Sequence, residues 1–354
     1  MSFNTFGKRL RITTFGESHG PAIGVIIDGV PARLTLNLDA IATDLGRRRP
    51  GQSAIASPRK EPDAVELLSG VFEGQTTGAP IALIIANQDV RSEDYQRFAD
   101  RFRPGHADLS YMSRYGVRDW RGGGRASGRE TAARVAAGAV ARQVLAFLGH
   151  PAEIFGHVVS VADVSAETFD RAEIENNPVR CADPLAAQKM IAAIEQAKQE
   201  KDSVGGVVEV RAQGVPTGLG QPVYNKLDAQ LAAALMGIGA VKGVEIGDGF
   251  RIATLRGSQA NDAIVEDGFA SNHAGGVLGG ISTGDELILR LAVKPTPSIA
   301  KPQKTINVEG QATTIAVEGR HDPCIAPRLV PVAEAMVALV LADALLAPPQ
   351  STGN

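Results

Sequence analysis

Short apolar runs alternate with polar, glycine-marked turns along most of the chain, and two periods can be separated in them. Positions 10–15 and 23–30 are apolar runs on either side of Gly16-Glu17-Ser18-His19-Gly20, which predicts two strands joined by a polar turn. Positions 65–72, 79–85, 154–164, 203–212 and 286–293 also read as strands. Helical spacing takes over at 38–48, 184–201, 227–236 and 331–346. The first of these helices starts at Asn37 or Asp39 and is stopped by Pro50-Gly51, so Arg47, Arg48 and Arg49 gather at its end. Positions 52–61 carry no period and predict a polar loop over whatever those arginines bind, and 238–247 reads as a glycine-punctuated loop and strand. The longest such unit is 121–148, where three glycines lead through Arg125, Ser127, Gly128, Arg129, Glu130 and Thr131 into an apolar helix.

That loop and helix suit an anion. Glycines let the backbone approach a ligand closely, the helix start offers unpaired N–H groups and the positive end of its dipole, and arginines add charge and forked donors. A glycine-rich turn before a buried helix with merely solvated arginines fits the segment equally well. The choice has to come from the rest of the chain.

Composition narrows the class. The chain has 354 residues, 44% of them hydrophobic, enough for a substantial core, and shows no repeat, linker or compositional break, so one domain over 1–354 with a frayed tail at 348–354 is expected. Strands and helices alternate without the cadence of a doubly wound sheet, which predicts an α+β fold. Cys181 and Cys324 stand far apart, which argues against a disulfide framework and for a reducing compartment. The apolar run at 335–347 is short and broken by Asp343, and the first residues lack a signal-like apolar stretch; together these predict a cytoplasmic protein without membrane association. Net charge is −3 and aromatics make up 5%, so a nucleic-acid-binding module built on Arg47–Arg49, Arg59-Lys60 and 121–129 is the weaker reading.

The motifs exclude more. There is no P-loop, no clean GxGxxG after a strand and no HExxH, and the six histidines show no metal-ligand spacing, so no metal site is expected. What recurs is a polar turn that sets histidine or aspartate beside arginine and glycine: Ser18-His19, Arg103 with His106, Arg125-Ser127-Arg129, and Arg320 with Asp322. Arginine forks bind phosphate or carboxylate, and histidine exchanges protons near neutral pH. The combination suits a small anion undergoing proton transfer. His150 and His157 lack basic neighbours in sequence and read as structural, and Lys294-Pro295-Thr296-Pro297-Ser298 reads as a rigid, kinked loop.

On these residues the chain resembles the chorismate synthase family. Positions 16–20 through 28–31, 124–140 around Ser127-Gly128-Arg129-Glu130-Thr131, and Gly319-Arg320-His321-Asp322-Pro323-Cys324 resemble its three signature segments, in the family's order. Arg-Arg-Arg-Pro-Gly, Phe-Arg-Pro-Gly-His-Ala-Asp, Ala-Val-Lys-Gly-Val-Glu-Ile-Gly and Ser-Asn-His-Ala-Gly-Gly match between them, so the likeness covers nearly the whole chain. The resemblance implies a single-domain β-α-β sandwich, antiparallel sheets enclosing long helices, in a homotetramer. It also implies 1,4-anti elimination of phosphate from 5-enolpyruvylshikimate 3-phosphate to give chorismate, with reduced FMN required and no net redox change. NADPH enters only as an indirect or possible reductant, and a flavoprotein reductase consuming it is a further alternative.

Carried onto matching positions, the family's roles make His19 the acid for the departing phosphate and His106 the group controlling protonation of the reduced flavin. Asp322 would help the flavin act as base toward the C6 proton. Ser18, Arg48, Arg129 and Arg320 resemble substrate-binding positions. Arg125, Ala126, Ser127, Gly239, Ala240, Gly279, Lys294, Pro295, Thr296, Pro297, Ser298 and Arg320 resemble cofactor-binding ones. Two departures stand out: Ala54 occupies a place where many members have arginine, leaving Arg59 and Lys60 as the nearest cations, and Gly128 stands where alanine is frequent.

Overall fold

The computed structural model describes residues 3–53, 55–57, 59, 61–89, 93–96 and 98–347. Ala54, Lys60 and the 348–354 tail therefore lie outside the described residues.

Two five-stranded antiparallel sheets form the outer layers. The first runs in the order Thr5–Phe6, Arg11–Gly16, Ala22–Asp28, Ile81–Ala86, Val65–Ser69. The second runs Val241–Ile246, Leu287–Val293, Gly206–Gln213, Glu153–Val161, Val164–Ser165. Period-2 patterning explains how each sheet faces inward: Ile23, Val25 and Ile27 are fully buried on one strand, and Leu287, Leu289, Leu291 and Val293 are buried on another.

Between the sheets lie two long helices. Thr131–Phe147 packs on the first sheet, Ala326–Leu345 packs on the second, and the two helices pack on each other. Their close approach depends on Gly138, where a Cβ would stand 2.3 Å from the Cβ of Ala335. Leu38–Arg48 lies against both helices, and Leu227–Met236 joins Ala326–Leu345 to the edge strand Val241–Ile246. A continuous cluster of buried apolar side chains runs through all these layers. The result is α+β, as the alternation of elements predicts, with antiparallel sheets enclosing long helices, as the resemblance implies.

Three expectations change. The last helix begins at Ala326 rather than 331 and carries Pro331 inside it. Proline lacks the N–H that would bond the Pro327 carbonyl one turn back, and the Arg180 guanidinium donates to that carbonyl instead, at 2.7 Å. This helix is also less apolar than its pattern suggests. Buried Glu334 accepts from Arg47 (2.6 and 3.0 Å), Arg142 (3.0 Å) and the Gly156 N–H (2.8 Å), tying three elements to one carboxylate. Asp343 accepts from the backbone N–H groups of Lys8, Arg9 and Leu10. Finally, the pattern passes over a hairpin of Gln303–Ile306 with Ala312–Ile315.

Candidate active site

The interior layer opens at one end into a cavity of about 860 Å³. Its walls come from the turns ahead of Thr131–Phe147, the loop after Leu38–Arg48, residues 103–108, 237–240 and 294–298, and the start of the last helix. Two short 3-10 turns, Gly124–Ala126 and Gly128–Glu130, lead into the central helix, and Ser127 caps the second by accepting from the Arg129 N–H at 3.3 Å. A large cavity with a few converging polar groups is the usual form of a small-molecule site.

Most of the residues singled out in the sequence come together here. His106, Asp322, Arg48, Arg129, Arg320, Arg125, Ala126, Ser127, Gly239, Ala240, Lys294, Thr296, Pro297 and Ser298 all line the cavity. Ser18 and His19 lie one layer behind it. Gly122 forms that part of the wall, and a Cβ there would fall 2.0 Å from His19 Cε1. Pro295 is not in the lining. Gly279 is remote: it sits in a hairpin whose Gly280 carbonyl accepts the Leu227 N–H at the beginning of helix Leu227–Met236, whereas Gly239 and Ala240 follow the end of that helix. Ten helical residues span about 15 Å, so one protomer does not bring Gly279 to the other glycine-bearing loop.

The histidines are held neutral. His19 Nδ1 lies 3.0 Å from Ser18 Oγ, its Nε2 is buried without a partner, and Tyr95 meets the ring edge-on at 4.9 Å. Burial first, and then the charge of Arg59, push its pKa down to about 4. His106 Nδ1 lies 3.0 Å from the Pro104 carbonyl and Nε2 lies 2.7 Å from Ser298 Oγ. A carbonyl only accepts, so Nδ1 carries the proton and the neutral ring's Nε2 accepts from the Ser298 hydroxyl. Burial and Arg103 likewise lower the pKa of His106 to about 4. His321 also lines the cavity, and burial together with His106 brings it to about 4.

The arginines are mostly engaged with the protein's own carboxylates. Arg48 Nη2 lies 3.1 Å from Asp63 Oδ2, and burial lowers its pKa to about 10. Asp63 also takes a short contact from Arg129, which donates in addition to Asn87 Oδ1 (2.8 Å) and the Ala86 carbonyl (3.1 Å). Arg320 grips Asp89 with both terminal nitrogens, at 2.5 and 2.9 Å. Arg103 and Asp108 form a buried bidentate pair at 2.8 Å. Asp322 accepts from the Ser57 N–H at 2.7 Å and closely contacts Arg328. Arg125 bonds neutral oxygens of Gly16 and Thr14 on the first sheet.

A backbone link joins the loops at 239–240 and 294–298. Ala240 adopts φ 75°, unusual for a residue with a Cβ, and its carbonyl accepts the Lys294 N–H at 3.0 Å. Lys294 Nζ in turn donates to the Gly105 carbonyl at 2.7 Å. Sequence reasoning missed Glu61, Asp63 and Asp89, carboxylates in turns with no diagnostic spacing, and also His321, Arg328 and Ser57. Glu61-Pro62-Asp63, directly after Arg59-Lys60, was the one available hint.

Comparisons with known proteins agree with one another. The sequence pattern of a family described as chorismate synthase matches residues 10–346. Chorismate synthase of Syntrophobacter fumaroxidans is 58% identical over 348 residues, covering 98% of either chain. The protein of that name from Chloroflexus aurantiacus is 56% identical over 98% of this chain and 96% of its own, and that from Methanosarcina mazei is 54% identical over 98% and 97%. A crystal structure of chorismate synthase superposes with a TM-score of 0.76 at 35% identity, covering 96% of this chain and 93% of the other.

Proposed function

This chain belongs to the chorismate synthase family, and from that premise we propose that it converts 5-enolpyruvylshikimate 3-phosphate to chorismate and inorganic phosphate. The reaction breaks one C–H and one C–O bond, leaves the electron pair in a new double bond, and releases phosphate. The observation that carries the reading is the gathering of Arg48, Arg129, Arg320 and His106 around one cavity, with the His19 ring, its Nε2 unpartnered, against the Gly122 wall.

The family as a whole requires a reduced flavin, and the residues fit one. Thr296 Oγ1 is buried without a partner in the wall, and the cavity lies toward the upper end of the ~300–1,000 Å³ usual for ligand sites. Arg125, Ala126, Ser127, Gly239, Ala240, Lys294, Thr296, Pro297, Ser298 and Arg320 would hold reduced FMN. Bound there, it supplies electron density to the carbon that loses phosphate.

The chain's own groups supply the rest. Arg48, Arg129 and Arg320 bind the anionic substrate by forked hydrogen bonds, with Ser18 fixing the His19 ring. Ser18 Oγ against Nδ1 fixes the ring, and His19 in its imidazolium form is the acid that gives a proton to the departing phosphate. His106 keeps a proton at Nδ1 and presents Nε2 toward Ser298, which lets it take or give a proton at the cofactor face. Asp322, held by Ser57 and Arg328, stays oriented toward the same cavity as the carboxylate assisting C–H cleavage. Gly279 enters this scheme if the protein is a homotetramer in which the hairpin of one protomer completes the cofactor site of another.

The test is anaerobic turnover with dithionite-reduced FMN, following chorismate absorbance and phosphate release. Equal amounts of both products, and none with oxidised FMN, are expected. Absence of chorismate with reduced FMN and authentic substrate would overturn the reading.

A further inference from the structure

Among the cavity arginines, Arg59 differs from the rest. Arg48 and Arg129 share Asp63, Arg103 holds Asp108, Arg320 holds Asp89 and Arg328 holds Asp322, so each of those guanidiniums already faces a carboxylate. Arg59 also lines the cavity, yet its guanidinium makes no ion pair or hydrogen bond among the described residues. Its place is nevertheless fixed. Ser57, two residues earlier, donates its N–H to Asp322 and its hydroxyl to the Arg320 carbonyl, and its Oγ accepts the Arg59 N–H at 3.4 Å. Arg59 is thus anchored to the Arg320–Asp322 segment while its guanidinium has neither a carboxylate nor a neutral acceptor among the described residues.

We infer that Arg59 is the residue that receives the substrate's phosphate, an arginine role supplied from within the polar loop. The inference deepens the elimination reading and rests on it. An incoming dianion meets an uncommitted guanidinium at Arg59, whereas at Arg48, Arg129 or Arg320 it must first displace a carboxylate.

A consequence follows for His19. The charged groups acting on its ring are Arg59, Arg121 and Arg103, opposed by Asp119, with Tyr95 against the ring edge. Arg59 is the strongest of these charges, and all three arginines disfavour a cationic imidazole. A phosphate seated on Arg59 offsets that field, so the ring takes a proton from solvent as the anion binds. That proton is the one later delivered to the leaving group. Substrate arrival then arms the acid, which explains how a ring kept neutral in the free protein can protonate phosphate.

Titrating inorganic phosphate into the flavin-free protein tests the binding arm. Arg59→Ala should weaken phosphate binding at least about tenfold, with Arg59→Lys in between. In turnover, Arg59→Ala should raise KM by about 10- to 100-fold, more than it lowers kcat. NMR titration of the histidine rings should show His19 protonating at higher pH in Arg59→Ala, and also in the unsubstituted protein once phosphate is bound. Unchanged phosphate affinity together with unchanged KM in Arg59→Ala would overturn the inference. If the unsubstituted protein forms no chorismate, the elimination reading fails, and the phosphate titration still decides the role of Arg59.

Discussion

His106 shows how much one side chain can reveal. Because Pro104 offers only a carbonyl, the ring's tautomer is set, and Ser298 completes a chain from the turn at 103–108 to the loop at 294–298. General acid–base groups contribute about 10²- to 10⁴-fold, so His106→Ala and Asp322→Ala should each cut chorismate formation by at least about a hundredfold in protein that still folds. Near-normal turnover in both would sink these assignments. The neutral histidines also shape acid stability. Their folded pKa values, about 4, lie below the ordinary 6.5 of the unfolded chain, so from pH ~6.5 down to ~4 the unfolded state binds more protons and stability falls with pH. For buried His19 the loss is at most roughly 3 kcal/mol. Denaturant midpoints measured across that window should drop, and the drop should shrink in His19→Gln. His19 and His106 were legible because their turns set histidine beside arginine and glycine in segments that resemble the family's, whereas His321 was not singled out. The carboxylates Asp63 and Asp89 were not legible either, because an aspartate in a loop has many structural uses.

At the level of elements, periodicity located most strands and helices within a few residues. It failed where a tertiary contact replaced a local one. Pro331 stands inside a helix because Arg180 satisfies the carbonyl its ring leaves behind, a contact reaching across 147 positions that no window of sequence displays. The same helix carries Glu334, which holds Arg47, Arg142 and the Gly156 N–H at once. Removing one partner of a buried ionic cluster typically costs about 3–5 kcal/mol. Glu334→Ala should therefore lower the unfolding midpoint sharply in urea or heat, and Glu334→Gln should recover part of it. A midpoint unchanged in both variants would show that these bonds add nothing net. The departure at Gly138→Leu is steric instead: a side chain there must push the two central helices apart, and loss of the native fold is the expected result.

For the molecule as a whole, the alternation of elements predicted α+β but not which strands share a sheet, since pairing order is set by contacts between distant segments. The layer order follows once both central helices are seen to be buried on nearly all sides. Composition predicted no membrane-spanning helix, and among the described residues none is long and apolar enough to cross a membrane. Two larger expectations remain open to direct measurement. Light scattering should give a mass four times that of the chain, and a monomeric mass with full activity would remove the role proposed for Gly279. The purified protein with FMN in air should not consume NADPH beyond the rate of free FMN, because the sequence shows no obvious inserted segment for a reductase site. Sustained oxidation would point to an inbuilt reductase.

Asp343 carries a consequence for how the protein is made. Its carboxylate holds the backbone of residues 8–10 across a separation of up to 335 positions, beside the first long strand, Arg11–Gly16. During synthesis that strand leaves the ribosome well before the aspartate that fixes its lead-in, which lies up to 335 positions further along the chain. The first sheet must then wait with an unanchored edge until the segment carrying Asp343 has emerged, a period in which it is exposed to wrong pairing. Chaperone dependence during synthesis should accordingly be greater than the stability of the finished fold suggests.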